Sequence, residues 1–159
     1  MRVPAPTSVP QAARELLRSA MARHEEGDIA GAIAEARRAI ELAPDFADAR
    51  SYLGSTLVTR RGRYAEGLSE LERARDAAPD DPSIYYTLGW CYEFVAHNVS
   101  RLPGRSAKGG SASGGDLDPQ ELYRKAEAYL RRCLELDPPG KLKDDAKDLL
   151  ASIIKEDVG

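Results

Sequence analysis

The most informative pattern for the fold lies in residues 85–92, Tyr-Tyr-Thr-Leu-Gly-Trp-Cys-Tyr. Tyr85, Leu88, Gly89 and Tyr92 are separated by three, one and three positions, so they share one face of a helix. The glycine on that face leaves room for the backbone of a second helix to come close. The stretch therefore predicts a helix that packs tightly against another helix of the chain.

The same pattern occurs twice more upstream at a nearly constant step. Residues 50–57 follow Arg-x-x-Leu-Gly-x-x-Leu, and residues 16–23 follow the weaker Leu-x-x-Ser-Ala-x-x-Arg. The small residues Ala20, Gly54 and Gly89 are therefore 34 and then 35 positions apart. A period of this length is typical of repeat proteins whose unit is a pair of helices.

Each unit also contains a second helix, which is followed by a proline. Counting back twelve, eight and five residues from Pro44, Pro79 and Pro138 reaches nine small or apolar residues on one helix face. These residues are Ala32, Ala36, Ala39, Gly67, Leu71, Ala74, Ala126, Leu130 and Cys133. Because proline cannot continue a helix, each proline is expected to close its unit.

Seven helices follow from the repeat pattern and the turn signals. The last has apolar residues on one side and charged residues on the other, which suits a helix that covers the final repeat. The predicted helices span residues 10–25, 29–42, 46–60, 64–77, 82–97, 119–136 and 141–156.

These features together resemble the tetratricopeptide repeat (TPR), over about residues 10–156. The resemblance implies an all-α fold, a right-handed α-α superhelix of three TPR-like helical hairpins plus a C-terminal capping helix. Arg23 departs from the pattern, since it stands where an apolar or aromatic residue is expected. The implied organisation is a disordered tail at 1–9, repeats at 13–46, 47–81 and 82–140, and a capping helix at 141–156.

The third unit is interrupted. Pro79 and Pro138 are 59 positions apart, which exceeds the period of 34 by 25 residues. The extra residues are rich in glycine and serine and fall between the two helices of the unit, so a flexible insertion is expected at 99–117. Tolerated drift and a functional tether or lid both remain open as explanations of this insertion.

The resemblance implies that the first helix of each unit lines a concave groove that holds a peptide or protein segment. Tyr86, Trp90 and Phe94, spaced by four, form an aromatic strip that serves either as groove surface or as a packing contact with neighbouring helices or the insertion. The candidate partner-binding residues are Arg14, Leu17, Met21, Ser51, Ser55, Val58, Tyr86, Trp90, Glu93 and Phe94.

The same groove positions bear on the class of ligand. A subclass of the family holds the terminal carboxylates of a peptide with Lys, Asn and Arg, and the matching positions here include Leu17, Met21, Ser55 and Trp90. An apolar or mixed segment is therefore the expected ligand.

Composition excludes several other classes of protein. With 42% apolar and 31% charged residues and a net charge of −3, the chain can form a core. The interspersed charges do not favour nucleic acid or an anionic membrane as partner, and no run approaches the roughly 20 apolar residues of a membrane helix. A cytoplasmic location is expected, and Cys91 and Cys133 are interpreted as small buried residues, with a regulatory disulfide as the alternative.

No catalytic or cofactor motif is complete. Residues 104–109 have the glycine spacing of a phosphate loop, but Gly110 stands where the lysine must be. His24 and His97 fall in different repeats, which disfavours a shared metal. The sequence therefore predicts a non-enzymatic protein-interaction module, an adaptor, scaffold or assembly factor without cofactor. The alternative is a self-associating structural solenoid with no separate peptide ligand.

Overall fold

The computed structural model describes residues 9–101 and 117–158, which form seven α-helices and, within those ranges, no strand. None of these helices combines the length and the hydropathy that a bilayer span requires. The all-α prediction is confirmed, and the helix ends lie within two residues of the predicted ones, except at the end of α5. The helices are α1 Gln11–Glu25, α2 Ile29–Leu42, α3 Ala47–Arg61, α4 Tyr64–Ala77, α5 Pro82–Arg101, α6 Pro119–Glu135 and α7 Gly140–Val158.

Helices pair with their neighbours in chain order. The closest pairs are α1 with α2, α3 with α4, and α5 with α6, and each pair is joined to the next through α2 with α3 and α4 with α5. Helix α5 also lies against α3 on one side and against α7 on the other. This succession of hairpins, closed by α7, is the predicted helical superhelix.

Small residues allow the close approach within each pair. A Cβ atom placed on Gly54 of α3 would lie 2.6 Å from the carbonyl oxygen of Gly67 in α4, and a Cβ on Gly67 would lie 2.6 Å from the carbonyl oxygen of Gly54. A Cβ on Gly89 of α5 would lie 2.6 Å from Cγ of Leu130 in α6. Larger side chains at these three positions would push the paired helices apart.

In the part of the chain that the structure describes, the apolar core consists of three clusters of buried residues along the array. The largest piece extends from Val58 of α3 through α4, α5 and α6 to α7, where Ala146, Leu150 and Ile153 are buried. Two smaller clusters join α1 and α2 to α3. The apolar stripe of α7 thus covers the third repeat, as its one-sided pattern predicts.

In the third unit, the predicted end of the first helix is wrong. Helix α5 continues to Arg101 rather than ending near 97, because Val99 extends the buried stripe of Val95 and Ala96 and is only 3% exposed. The predicted insertion at 99–117 therefore begins too early. Residues 102–116 of that insertion and residues 1–8 of the predicted tail lie outside the described residues.

Candidate functional site

The candidate residues on α1 differ in exposure. Arg14 is exposed and Met21 is 44% exposed, whereas Leu17 is only 7% exposed and packs into the cluster with Ala13 and Phe46. Leu17 can therefore offer a partner only one edge of its side chain. All three predicted residues nevertheless line one cavity, described below.

On α3 the structure corrects two predicted binding residues. Val58 is 1% exposed, and its Cγ2 atom would lie 2.6 Å from a Cβ on Gly67 of α4. Ser51 is 9% exposed and, with Gly54 and Val58, forms one stripe of the helix, because the three are spaced by three and four. Since Gly54 also faces α4, this stripe packs inside the second repeat, and the prediction that Ser51 and Val58 face a partner is wrong.

Ser55 lies at the edge of that stripe and is half-buried. Its hydroxyl donates a hydrogen bond to the carbonyl oxygen of Tyr52 at 3.1 Å, and the hydroxyl of Thr59 donates to the carbonyl oxygen of Ser55 at 2.8 Å. Both hydroxyls are therefore occupied within their own helix. This part of α3 therefore offers a partner no free hydroxyl donor.

The aromatic strip of α5 divides into two parts. Trp90 and Phe94 stack on each other, with ring centroids 5.5 Å apart and ring planes 22° apart, and Trp90 is 37% exposed. Tyr86 is half-buried against the core, where burial raises its pKa and the Asp145 carboxylate of α7 raises it further. Tyr86 therefore lies near the capping helix. Trp90 is the exposed ring of the strip, and it rests on Phe94, which is half-buried against the core, with the half-buried Glu93 next to it.

A cavity of about 500 Å³ lies beside α1 and is lined by residues of the first and second repeats, as far as Asp81 at the end of the second. One wall comes from α1, and the other comes from the chain between α2 and α3 and from the chain between α4 and α5. We refer to it as the α1 cavity. It is lined by Val9, Arg14, Leu17, Arg18, Met21, Asp45, Phe46, Ala47, Asp48, Ala77, Ala78 and Asp81.

Asp45, Phe46 and Asp81 are absent from the predicted set. They lie at turns between repeats, and helix periodicity says nothing about where a turn is placed. The prolines at 44 and 79 give the only signal, because they mark where each unit ends and its connecting turn begins. The fold then places both turns beside the cavity that α1 also lines.

A second cavity of about 500 Å³ lies between α4 and α6, outside the predicted site. At its floor the hydroxyl of Tyr92 donates a hydrogen bond to the carboxylate of Glu72. Burial, and secondly this carboxylate, raises the pKa of Tyr92. Beside it the guanidinium of Arg75 donates to the hydroxyl of Tyr129 at 3.0 Å. These paired polar groups hold α4, α5 and α6 together.

The two cysteines are free thiols, and both are buried. Burial raises the pKa of Cys91 to about 12, so its thiol carries its proton at neutral pH and is a poor nucleophile. Among the described residues, no group of three His, Cys, Asp or Glu side chains is placed to hold a metal ion.

Comparison with known proteins agrees with this geometry. The sequence profile described as Tetratricopeptide repeat matches residues 17–82 and 56–93, and a second profile with the same description matches residues 117–139. No curated protein sequence matches the chain.

Several solved structures share the fold. The first TPR of Spaghetti (RPAP3) bound to HSP90 peptide SRMEEVD superposes with a TM-score of 0.68 at 16% identity, covering 94% of this chain and 95% of that one. The O-GlcNAc transferase of Thermobaculum terrenum gives 0.66 at 21% identity, covering 94% of this chain but 23% of that one. The CopN-Scc3 complex gives 0.57 at 15% identity, covering 90% and 67%. These structures share the fold, and the profile matches over residues 17–93 and 117–139 show that the chain belongs to the tetratricopeptide-repeat family.

Proposed function

We propose that this chain is a non-catalytic protein-interaction module that holds a peptide, or an extended segment of another protein, against its α1–α3–α5 face. The observation that carries the proposal is the exposed Trp90 ring on α5, which stacks on the half-buried Phe94 ring. Large aromatic rings bury much apolar area with little loss of side-chain freedom, and tryptophan is enriched among residues that dominate binding energy.

The polar groups of this face also favour a partner over a reaction. The hydroxyls of Ser55 and Thr59 each donate a hydrogen bond to a backbone carbonyl oxygen within α3. The superposed RPAP3 domain is bound to a peptide, and the CopN-Scc3 structure is a protein complex. Both support a protein or peptide as the class of partner.

Selection from a library of random 12-residue peptides displayed on phage tests the proposal. We expect the wild-type chain to enrich peptides that bind a Trp90→Ala variant at least tenfold more weakly, because truncation of a central aromatic contact costs about 2 kcal/mol or more. Leu42→Ala is the matched control, since Leu42 is an exposed apolar residue (53%) on α2, away from the face. Its affinity for the same peptides should equal that of the wild type.

Two results would contradict the proposal. Enriched peptides that bind Trp90→Ala as well as wild type would place the site elsewhere. A selection that enriches nothing, together with concentration-dependent association in sedimentation equilibrium that Trp90→Ala abolishes, would favour a second copy of the chain as the occupant.

A further inference from the structure

We infer that the α1 cavity sets the specificity of this module and accepts an apolar side chain that stands between a basic and an acidic residue in the partner. The inference rests on the proposed function, because it names the partner chemistry for the same face. It follows from three features of the cavity: its floor, its two charged walls and its opening.

The floor of the cavity is apolar and fixed in place. Leu17 and Phe46 are each 7% exposed and pack into the cluster with Ala13, Ala39 and Ala43, so their positions are set by the core. Further along, Ala77 and Ala78 complete the lining with short side chains. A volume of about 500 Å³ above this floor has room for one large apolar side chain and the backbone that carries it.

The two walls carry opposite charges. Arg14 and Arg18 are four positions apart on α1, so both lie on the same face of that helix, and both are exposed. Asp45 and Asp48 are exposed on the opposite wall. The Asp81 carboxylate adds to the negative wall, where one of its oxygens accepts hydrogen bonds from the backbone N–H and the hydroxyl of Ser83 at 3.0 and 2.7 Å.

These charges do not neutralise one another across the cavity. Among residues 9–101 and 117–158, the side chains of Arg14, Arg18, Asp45 and Asp48 form no ion pair within 4.0 Å. Arg50, by contrast, lies close by on α3 and is paired with Glu70 at 2.9 Å. A ligand with both signs of charge can therefore satisfy both walls at once.

A protein segment fits this arrangement better than a small free solute. The walls are exposed and the cavity is open to solvent, so a small molecule would keep most of its surface in water. A segment can place one apolar side chain on the floor while its backbone continues along the face. The walls also set its direction, since its basic residue must lie toward the turns at Asp45 and Asp81 and its acidic residue toward α1.

The peptide selection described above, repeated with charge variants, tests this inference. We expect enriched 12-residue peptides to share an apolar residue with Lys or Arg on one side and Asp or Glu on the other. A synthetic peptide of that consensus should bind the double variant Asp45→Asn/Asp48→Asn about threefold to tenfold more weakly than wild type at low salt. The difference should shrink in 0.5 M salt, because screening weakens exposed charge pairs.

A matched control separates this local effect from a change in overall charge. Glu25→Gln/Glu41→Gln removes two exposed carboxylates that lie outside the cavity and raises the net charge by the same amount. We expect this variant to bind the consensus peptide as the wild type does. Circular dichroism should show the same helix content in both double variants.

The outcomes distinguish the two proposals. Peptides that depend on Trp90 but show no charge preference, and that ignore Asp45→Asn/Asp48→Asn, would overturn the role of the α1 cavity and leave the proposed function standing. An acidic consensus that binds the double variant more tightly would also overturn it. Peptides that ignore Trp90→Ala, or no enrichment at all, would contradict the proposed function and the inference together.

Discussion

Cys91 shows how a single buried side chain links stability to pH. Its thiol is fully enclosed between α5 and its neighbours, and burial raises its pKa from 9.0 to about 12. The folded chain therefore keeps the thiol proton in a pH range where the unfolded chain releases it. Stability is retained below pH 9 and falls as the pH rises from 9 toward 12. The pKa of Cys133 is also raised by burial, so its contribution has the same sign.

We expect Cys91→Ala to make the free energy of unfolding less dependent on pH. The wild type should lose stability between pH 9 and pH 10, and the variant should lose less, by at most about 1.4 kcal/mol per pH unit for one proton. Urea denaturation followed by circular dichroism at pH 7, 8, 9 and 10 measures both slopes. If the free energy of unfolding depends on pH equally in the two proteins, the thiol has the same pKa in the folded and the unfolded chain, and the prediction is wrong.

At the scale of single elements, the contact between α3 and α4 depends on two glycines. Glycine lowers helix stability by about 1 kcal/mol relative to alanine, so its presence in two facing helix interiors needs a compensating gain. The gain is the close approach of the backbones, where each glycine faces the carbonyl oxygen of the other. Helix packing, rather than helix propensity, therefore explains why glycine occupies positions 54 and 67.

Gly54→Ala tests this balance. We expect a net loss of about 1–2 kcal/mol in the free energy of unfolding, because overpacking costs about 1–3 kcal/mol and the gain in propensity returns about 1. Gly140→Ala is the control, since a Cβ there would meet nothing within 4 Å, and its effect should stay within about 0.5 kcal/mol. A Gly54→Ala chain more stable than the wild type in urea denaturation would contradict the tight contact.

At the scale of the whole molecule, the helices contact mainly their neighbours in the array. Such an array transmits a local loss of stability over a short distance, because each repeat depends directly only on the next. Helix α7 lies at one end, and its Ile153 is 2% exposed within the core piece shared with α5 and α6. A substitution that destabilises α7 should therefore weaken the helices nearest to α7 most and the first repeat least.

We expect Ile153→Ala to cost about 2–5 kcal/mol locally, the range measured for buried aliphatic truncations. Hydrogen exchange followed by mass spectrometry should show the largest loss of protection in α7, α6 and α5, and the smallest in α1 and α2. Equal loss in all helices would indicate a single cooperative unit instead of an array.

The order and type of helices were predictable because they rest on local rules. The small residues recurring at a step of about 34, the prolines after each second helix and the glycines at the turns all act within a few residues of where they stand. The turn glycines Gly27 and Gly62 have φ values of +90° and +65°, which glycine adopts without strain. The predicted end of α5 is too early. The glycine- and serine-rich sequence after residue 101 suggests a loop, although Val99 continues the buried stripe of Val95 and Ala96.

The repeat pattern alone identifies a tetratricopeptide-type array, because periodicity and close helix packing are properties of residues at fixed spacing. Which side chains remain accessible to a partner depends instead on how the helices pack in three dimensions. Val58 is buried against Gly67 of α4, and Ser51 is buried on the same stripe of α3. Tyr86 is half-buried beside the core that α7 shares. The turns at Asp45 and Asp81 meet α1 only after the repeats stack, since residues distant in the chain share a cavity only when packing brings them together.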